Sequence, residues 1–176
     1  SVPTKTLTVN IAMNNKVADN VKAYQDMKVE IKGANVSKTI DLGSDGTAQA
    51  NGAYTVTADL EQNIPYTVTV SGAGYRTARY TVNLNADKTL NFWNNVMDEA
   101  KVVEVNNEAY KKNVTFLAGD IVKDNKINIY DLSAVVSYFG TDNLVTEHPE
   151  YAKYDLNRDG VIDSKDVAYV LVSWGN

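Results

Sequence analysis

A shift of 35 residues lays DIVKDNKINIYDLSAVVSYFG (residues 120–140) over DLNRDGVIDSKDVAYVLVSWG (residues 155–175). In this register Asp120, Asp124, Asn128 and Asp131 fall on Asp155, Asp159, Asp163 and Asp166, and Ile127 falls on Ile162. Each copy opens with a polar loop and continues into an apolar run. Leu132, Val135, Val136 and Phe139 in the first copy match Val167, Val170, Leu171 and Trp174 in the second. Both sets recur at i, i+3, i+4 and i+7, the spacing of one helix face, which predicts a helix leaving each loop with that face turned inward. One loop-plus-helix unit is used twice.

The loops ask for a hard cation. Calcium takes six to eight oxygens at roughly 2.3–2.6 Å, and a twelve-residue loop wraps it with positions 1, 3, 5, 7, 9 and 12. In the second loop Asp155, Asn157 and Asp159 offer side-chain oxygens, Val161 its carbonyl, Asp163 a water-mediated contact and Asp166 both carboxylate oxygens. Gly160 at position six suits the sharp turn. The first loop supplies Asp120, Asp124, the Lys126 carbonyl, Asn128 and Asp131, but position three is Val122, which has no side-chain oxygen. Asn125 at position six tolerates the left-handed region better than most residues. The sequence therefore predicts two calcium sites, the first weaker than the second or completed by an extra water. Ile127 and Ile162 at position eight are expected to pair the loops through short strands, and Val122 to pack on the neighbouring domain.

Charge is distributed accordingly. Residues 1–116 carry 12 acidic and 12 basic side chains, whereas 117–176 carry 10 acidic and 5 basic, so the whole net charge of -5 lies in the last third. Such a segment disfavours nucleic acid and anionic membranes and favours cations. With no cysteine, thiolate chemistry and disulfides are excluded. No apolar run approaches the length of a membrane span, and SVPTKTLTV lacks the regions of a signal peptide, a start that suits an excised fragment.

Upstream the period is two. TLTVNIAM, MKVEI, AYTVTADL, YTVTV and ARYTVNL alternate apolar and polar residues between turn signals, which predicts an antiparallel β-sandwich with Leu7, Val9, Ile11 and Met13 on one core face. The stretch from Asp45 to Leu84 resembles carboxypeptidase-regulatory-like, immunoglobulin-type sandwiches. After Val114 the period changes, placing a boundary near Phe116: residues 1–116 form the sandwich and 117–176 the calcium-loop module. Residues 91–113 are the least legible, with room for a short helix, a last strand and a linker.

A regulatory EF-hand needs a helix entering each loop. NVTFLAG before Asp120 reads as extended chain, HPEYAKY before Asp155 allows only a short helix, and position twelve is Asp rather than Glu in both loops. The duplicated loop and exit helix, with GDIVKDNKIN and DLNRDGVIDSKD, instead resembles a dockerin, the calcium-dependent module that docks proteins onto cohesin domains in cellulosomes. A sandwich directly upstream is similar to the X-module that accompanies type II dockerins, and GDIVKDN resembles the type II branch. The implied architecture is mixed: an all-β immunoglobulin-like X-module followed by a small α-helical dockerin with two EF-hand-like loop-plus-exit-helix sites. The implied setting is the outside of an anaerobic cellulolytic bacterium, secreted or attached to its surface.

The resemblance also implies a partner surface, a cohesin of type II gripped through loop positions 10 and 11 and the turns that follow. Here these are Ile129 and Tyr130 in the first repeat and Ser164 and Lys165 in the second, with Ser137, Tyr138, Val172 and Ser173 on the exposed faces. Ile129 and Tyr130 lie off the predicted core stripe, so helix geometry exposes them, and Tyr is a frequent interface anchor. Because Ile-Tyr differs from Ser-Lys, a single binding orientation is expected. The X-module is expected to stabilise the dockerin; Phe92, Trp93 and Tyr110 are candidates for the joint, against the commoner alternative that a sandwich's aromatic side chains fill its core. An enzyme is disfavoured: His148, the sole histidine, precedes Pro149 with no base or nucleophile pattern around it. The alternative function is a carbohydrate-binding or surface-adhesion sandwich with a calcium-stabilised C-terminal domain.

Overall fold

Strict alternation from Thr4 to Ala12 buries Leu7, Val9 and Ile11 completely, and this strand lies inside the larger of two sheets. The computed structural model describes residues 2–12, 27–42, 47–48, 53–93, 102–105, 109–144, 147–157 and 159–176. Met13 and the GSDG turn lie outside the described residues.

In chain order the strands are β1 (Thr4–Ala12), β2 (Lys28–Lys32), β3 (Ser37–Asp41), β4 (Thr47–Ala48), β5 (Ala53–Glu61), β6 (Pro65–Ser71) and β7 (Gly74–Tyr75). They continue as β8 (Ala78–Asn83), β9 (Lys88–Trp93), β10 (Val102–Val105), β11 (Ala109–Thr115) and β12 (Ala118–Asp120). Helix α1 (Ile129–Val136), strand β13 (Gly140–Leu144), a 3₁₀ turn at Pro149–Tyr151, strand β14 (Val161–Ile162) and helix α2 (Ser164–Val172) complete the chain.

One sheet has the order β10-β11-β9-β1-β5-β4, the other β3-β2-β6-β8. Val9 pairs with Val56 of antiparallel β5 on one side and with Leu90 of β9 on the other, and the β1–β9 and β9–β11 pairs are parallel. The antiparallel expectation is thus corrected to a mixed larger sheet, since period two reports which face is buried and not the direction of the neighbour. Val29, Ile31, Tyr66, Val68 and Val70 of the smaller sheet enter the same core as Leu7, Val9 and Ile11. The least legible segment contributes β10 and β11, paired as a hairpin, in its described part.

The C-terminal module closes by exchange between its repeats. Ile127 donates its amide to the Asn176 carbonyl and accepts from the Gly175 amide, beyond α2, while Ile162 in β14 pairs with Gly140, beyond α1. Position eight of each loop therefore meets the tail of the other repeat's helix, not the other loop as expected. Since each helix start lies beside the other helix's end, α1 and α2 run antiparallel.

The two parts join at the β6–β7 turn. Strand β12 pairs with β7, Arg76 donates its amide to the Leu117 carbonyl at 2.8 Å, and Tyr75 stacks on Phe116 with ring centroids 5.0 Å apart. Gly74 (φ 82°) is pressed so close to the C-terminal module that a Cβ there would stand 2.6 Å from the Lys153 carbonyl oxygen. Of the two readings for Phe92, the core one holds: it is fully buried in the sandwich, as an inward position of β9 requires. The side chains of Trp93 and Tyr110 are outside those described.

Candidate functional site: two oxygen-lined loops and the helices they launch

At positions one, five and twelve the two loops are held by the same hydrogen bonds. At position one, Asp120 accepts from the amides of Asp124 (3.2 Å) and Asn125 (3.0 Å), and Asp155 accepts from those of Asp159 (3.3 Å) and Gly160 (2.9 Å). At position five, Asp124 accepts from the Lys126 amide and Asp159 from the Val161 amide, both at 3.0 Å. At position twelve, Asp131 accepts from Ile121, Val122 and Asn128, and Asp166 from Leu156, Asn157 and Asp163. Position six takes the left-handed backbone in both, with φ 63° at Asn125 and 89° at Gly160.

Position nine has a use that the spacing did not reveal. Asn128 and Asp163 are the N-caps of α1 and α2, accepting from the amides of Tyr130 and Lys165, and each forms a reciprocal capping box with the Asp at position twelve. A cap of this type contributes about 1 kcal/mol to a helix. The loop chemistry and the helix start are therefore one arrangement.

The electrostatics favour a cation. One carboxylate oxygen from each of Asp120, Asp124 and Asp131 lies within 4.8 Å of the others, and Asp120 and Asp131 are buried. Burial raises the Asp120 pKa, with the Asp131 charge adding to the rise and the amides of Asn125 and Asp124 opposing it. Asp166 is pushed up to about 7, chiefly by burial and further by Asp155, against the pull of its backbone donors. Carboxylates gathered out of water resist ionisation unless positive charge joins them. This donor set of hard oxygens suits calcium, with the Lys126 and Val161 carbonyls at position seven and the Asn157 side chain at position three. Val122 brings no side-chain oxygen and, contrary to the packing expected of it, remains exposed. It lines a cleft of about 400 Å³ between Gly74 of the sandwich and Ala134 of α1.

The helices are rotated from the expected phase. Asp131, Val135 and the half-buried Tyr138 face inward on the first repeat, and Asp166, Val170 and Ser173 on the second. Leu132 and Val167 are only half-buried, and Val136, Phe139, Leu171 and Trp174 are exposed. The cause is position twelve: its carboxylate must point into the loop, which fixes the rotation of the helix about its axis. Apolar spacing alone could not reveal this, because the residue that sets the phase is an Asp.

The expected partner residues divide accordingly. Ile129, Tyr130, Ser137, Ser164, Lys165 and Val172 are exposed, Tyr130 to 67% and Val172 to 75%. Ser173 is corrected: it is 1% exposed and caps α2 on the inward stripe. Tyr138 is corrected too, since it is half-buried and stacks on Tyr154 at 4.3 Å. Helix polarity then sorts the exposed apolar side chains. Ile129 and Tyr130 begin α1 beside the end of α2, where Leu171, Val172 and Trp174 stand; Ser164 and Lys165 lie at the opposite end, with Val136 and Phe139. His148 stacks on Tyr151 and lies 3.3 Å from Glu150.

Residues 118–171 match the sequence model of the dockerin type I domain. Two crystal structures of type II cohesin-X-dockerin complexes from Acetivibrio cellulolyticus, one an N-terminal and one a C-terminal interface mutant, share the fold along almost the whole length. Each matches with a TM-score of 0.60 and 21% identity, covering 98% of this chain and 96% of the other. Among curated proteins nothing matches. No described helix is long and apolar enough to cross a membrane.

Proposed function

We propose that this chain, in which a dockerin module follows an X-module-like sandwich, is a non-catalytic, calcium-dependent docking unit that binds a cohesin and so assembles or anchors an extracellular cellulosome. The observation that carries the reading is the pair of loops with matched hydrogen bonds, each launching a helix with large exposed apolar side chains.

Two calcium ions are assigned, with the division of the chain at Phe116 and Leu117. Asp120, Asp124, the Lys126 carbonyl, Asn128 and Asp131 would hold the first, with Val122 at the deficient third position. Asp155, Asn157, Asp159, the Val161 carbonyl, Asp163 and Asp166 would hold the second. Bound ions neutralise the buried carboxylates and fix the helices whose outer faces meet the partner.

The matched family model is of type I, whereas the full-length likeness is to type II complexes. The type II reading is preferred because that likeness includes the sandwich. The difference between the two ends of the antiparallel pair, Ile129 and Tyr130 with Leu171 and Val172 at one and Ser164 and Lys165 with Val136 and Phe139 at the other, supports a single orientation. The setting is the exterior of an anaerobic, cellulose-degrading bacterium. The carbohydrate-binding alternative has no observation in its favour: of the sandwich's described aromatic side chains, Tyr66, Tyr75, Phe92 and Phe116 are buried and Tyr54 and Tyr80 half-buried.

Calorimetric titration against type I and type II cohesins, with calcium and with chelator, tests the reading. Tight binding to type II that chelator abolishes is expected. Binding to neither, or binding indifferent to chelator, overturns it.

A further inference from the structure

Lys123 stands at position four of the first loop, between Val122, whose amide orients Asp131, and Asp124, a carboxylate of the cluster. Its backbone is left-handed (φ 54°), unusual for a residue with a long side chain. Its ammonium leaves the loop and donates to the carbonyls of Gly72 and Tyr75, both at 2.6 Å. Those carbonyls flank the turn that the Tyr75 amide closes onto Gly72, and the turn belongs to the sandwich. Charge-assisted bonds of this length are the stronger kind.

The second loop is braced from within. Asn157 at position three donates from its side-chain amide to Asp159 at 3.2 Å, tying position three to position five. The first loop has Val122 there and can form no such bond. The side chain of Arg158, at position four of the second loop, lies outside the described residues.

We propose that Lys123 is a positioning residue through which the sandwich supplies, from outside, the brace that Val122 removes from the first loop, so that calcium affinity at this site depends on the Lys123 contact and affinity at the second does not. This rests on the calcium reading given above. Fixing position four against the β6–β7 turn sets the path from Val122 to Asp124, and with it the separation of Asp131 from Asp124. The order lost at position three is restored by a neighbouring domain.

The test uses the full chain in a calcium-buffered series followed by amide NMR. The Asn125 amide reports on the first loop and the Gly160 amide on the second, since each donates to its own position-one carboxylate. Lys123→Met is expected to weaken the first site roughly ten- to hundredfold, the range for losing charged hydrogen bonds, with the second site within about twofold of the parent. Adding Val122→Asn to Lys123→Met is expected to recover most of the loss. Unchanged affinity in Lys123→Met, equal weakening at both sites, or no recovery in the double variant overturns the proposal. Absence of calcium binding by the parent chain overturns the calcium reading itself, which separates the two failures.

Discussion

Gly175 donates its amide to the Ile127 carbonyl at 2.9 Å, so a residue beyond the second helix finishes a bridge begun in the first loop. The Ile127 amide returns the bond to Asn176 at 2.7 Å, around a side chain that is fully buried. Deleting Gly175 and Asn176 strands both groups of Ile127. The expected cost is about 1–4 kcal/mol, and a fall in the C-terminal module's melting midpoint on the order of 4–30 °C by near-ultraviolet circular dichroism. An unchanged midpoint would show the bridge to be dispensable.

Gly74 sets the distance between the two parts. Alanine there meets the Lys153 carbonyl oxygen at 2.6 Å and Leu156 at 3.0 Å, on a backbone with positive φ. Gly74→Ala should destabilise the joint by roughly 1–3 kcal/mol. Limited proteolysis of the C-terminal module reads this directly, and cleavage no faster than in the parent chain would count against it.

Tyr75 carries the aromatic half of the same joint, stacked on Phe116 and buried. Tyr75→Ala is expected to cost about 3–5 kcal/mol. It should also split a single thermal transition into two, seen by calorimetry, as the modules lose contact. A single transition that merely moves to lower temperature would mean that Tyr75 serves the sandwich core alone.

At position twelve, Asp166 accepts from three amides through its two oxygens. Asparagine offers one acceptor oxygen and turns an NH₂ towards a donor. Asp166→Asn should therefore destabilise the start of α2 by about 1–3 kcal/mol, even in chelator. Hydrogen exchange at the Asp163 and Lys165 amides provides the readout. Exchange altered only when calcium is present would assign Asp166 a metal role without the structural one.

Chelation itself should act unevenly. The sandwich has its own core around Val9, Val29 and Val68, whereas the C-terminal module gathers buried carboxylates at its loops. Removing divalent ions is expected to lower helical ellipticity and spare the β-sheet signal, with recovery on adding calcium. Helical signal indifferent to chelator would contradict the assigned sites.

What could be read directly was whatever follows a period or a fixed loop spacing. The alternation of Leu7, Val9 and Ile11 gave β1 its buried face, and the spacing from Asp120 to Asp131 gave the loop, its left-handed sixth position and the exit helix. Features set by tertiary contact were not legible. The parallel β1–β9 pair, the Tyr75–Phe116 joint and the exchanged bridges join residues far apart in sequence, with no local pattern to mark them. Rotation of the helices escaped for a different reason: an apolar stripe counts only apolar residues, while here an inward Asp holds the phase and leaves Val136 and Leu171 facing out.

The exchanged bridges bear on how such a module can be divided or duplicated. A solitary repeat would keep its loop and helix but lack the tail that seals position eight, leaving raw strand backbone beside the buried isoleucine. The two repeats are in this respect halves of one closure, each sealing the other's position eight.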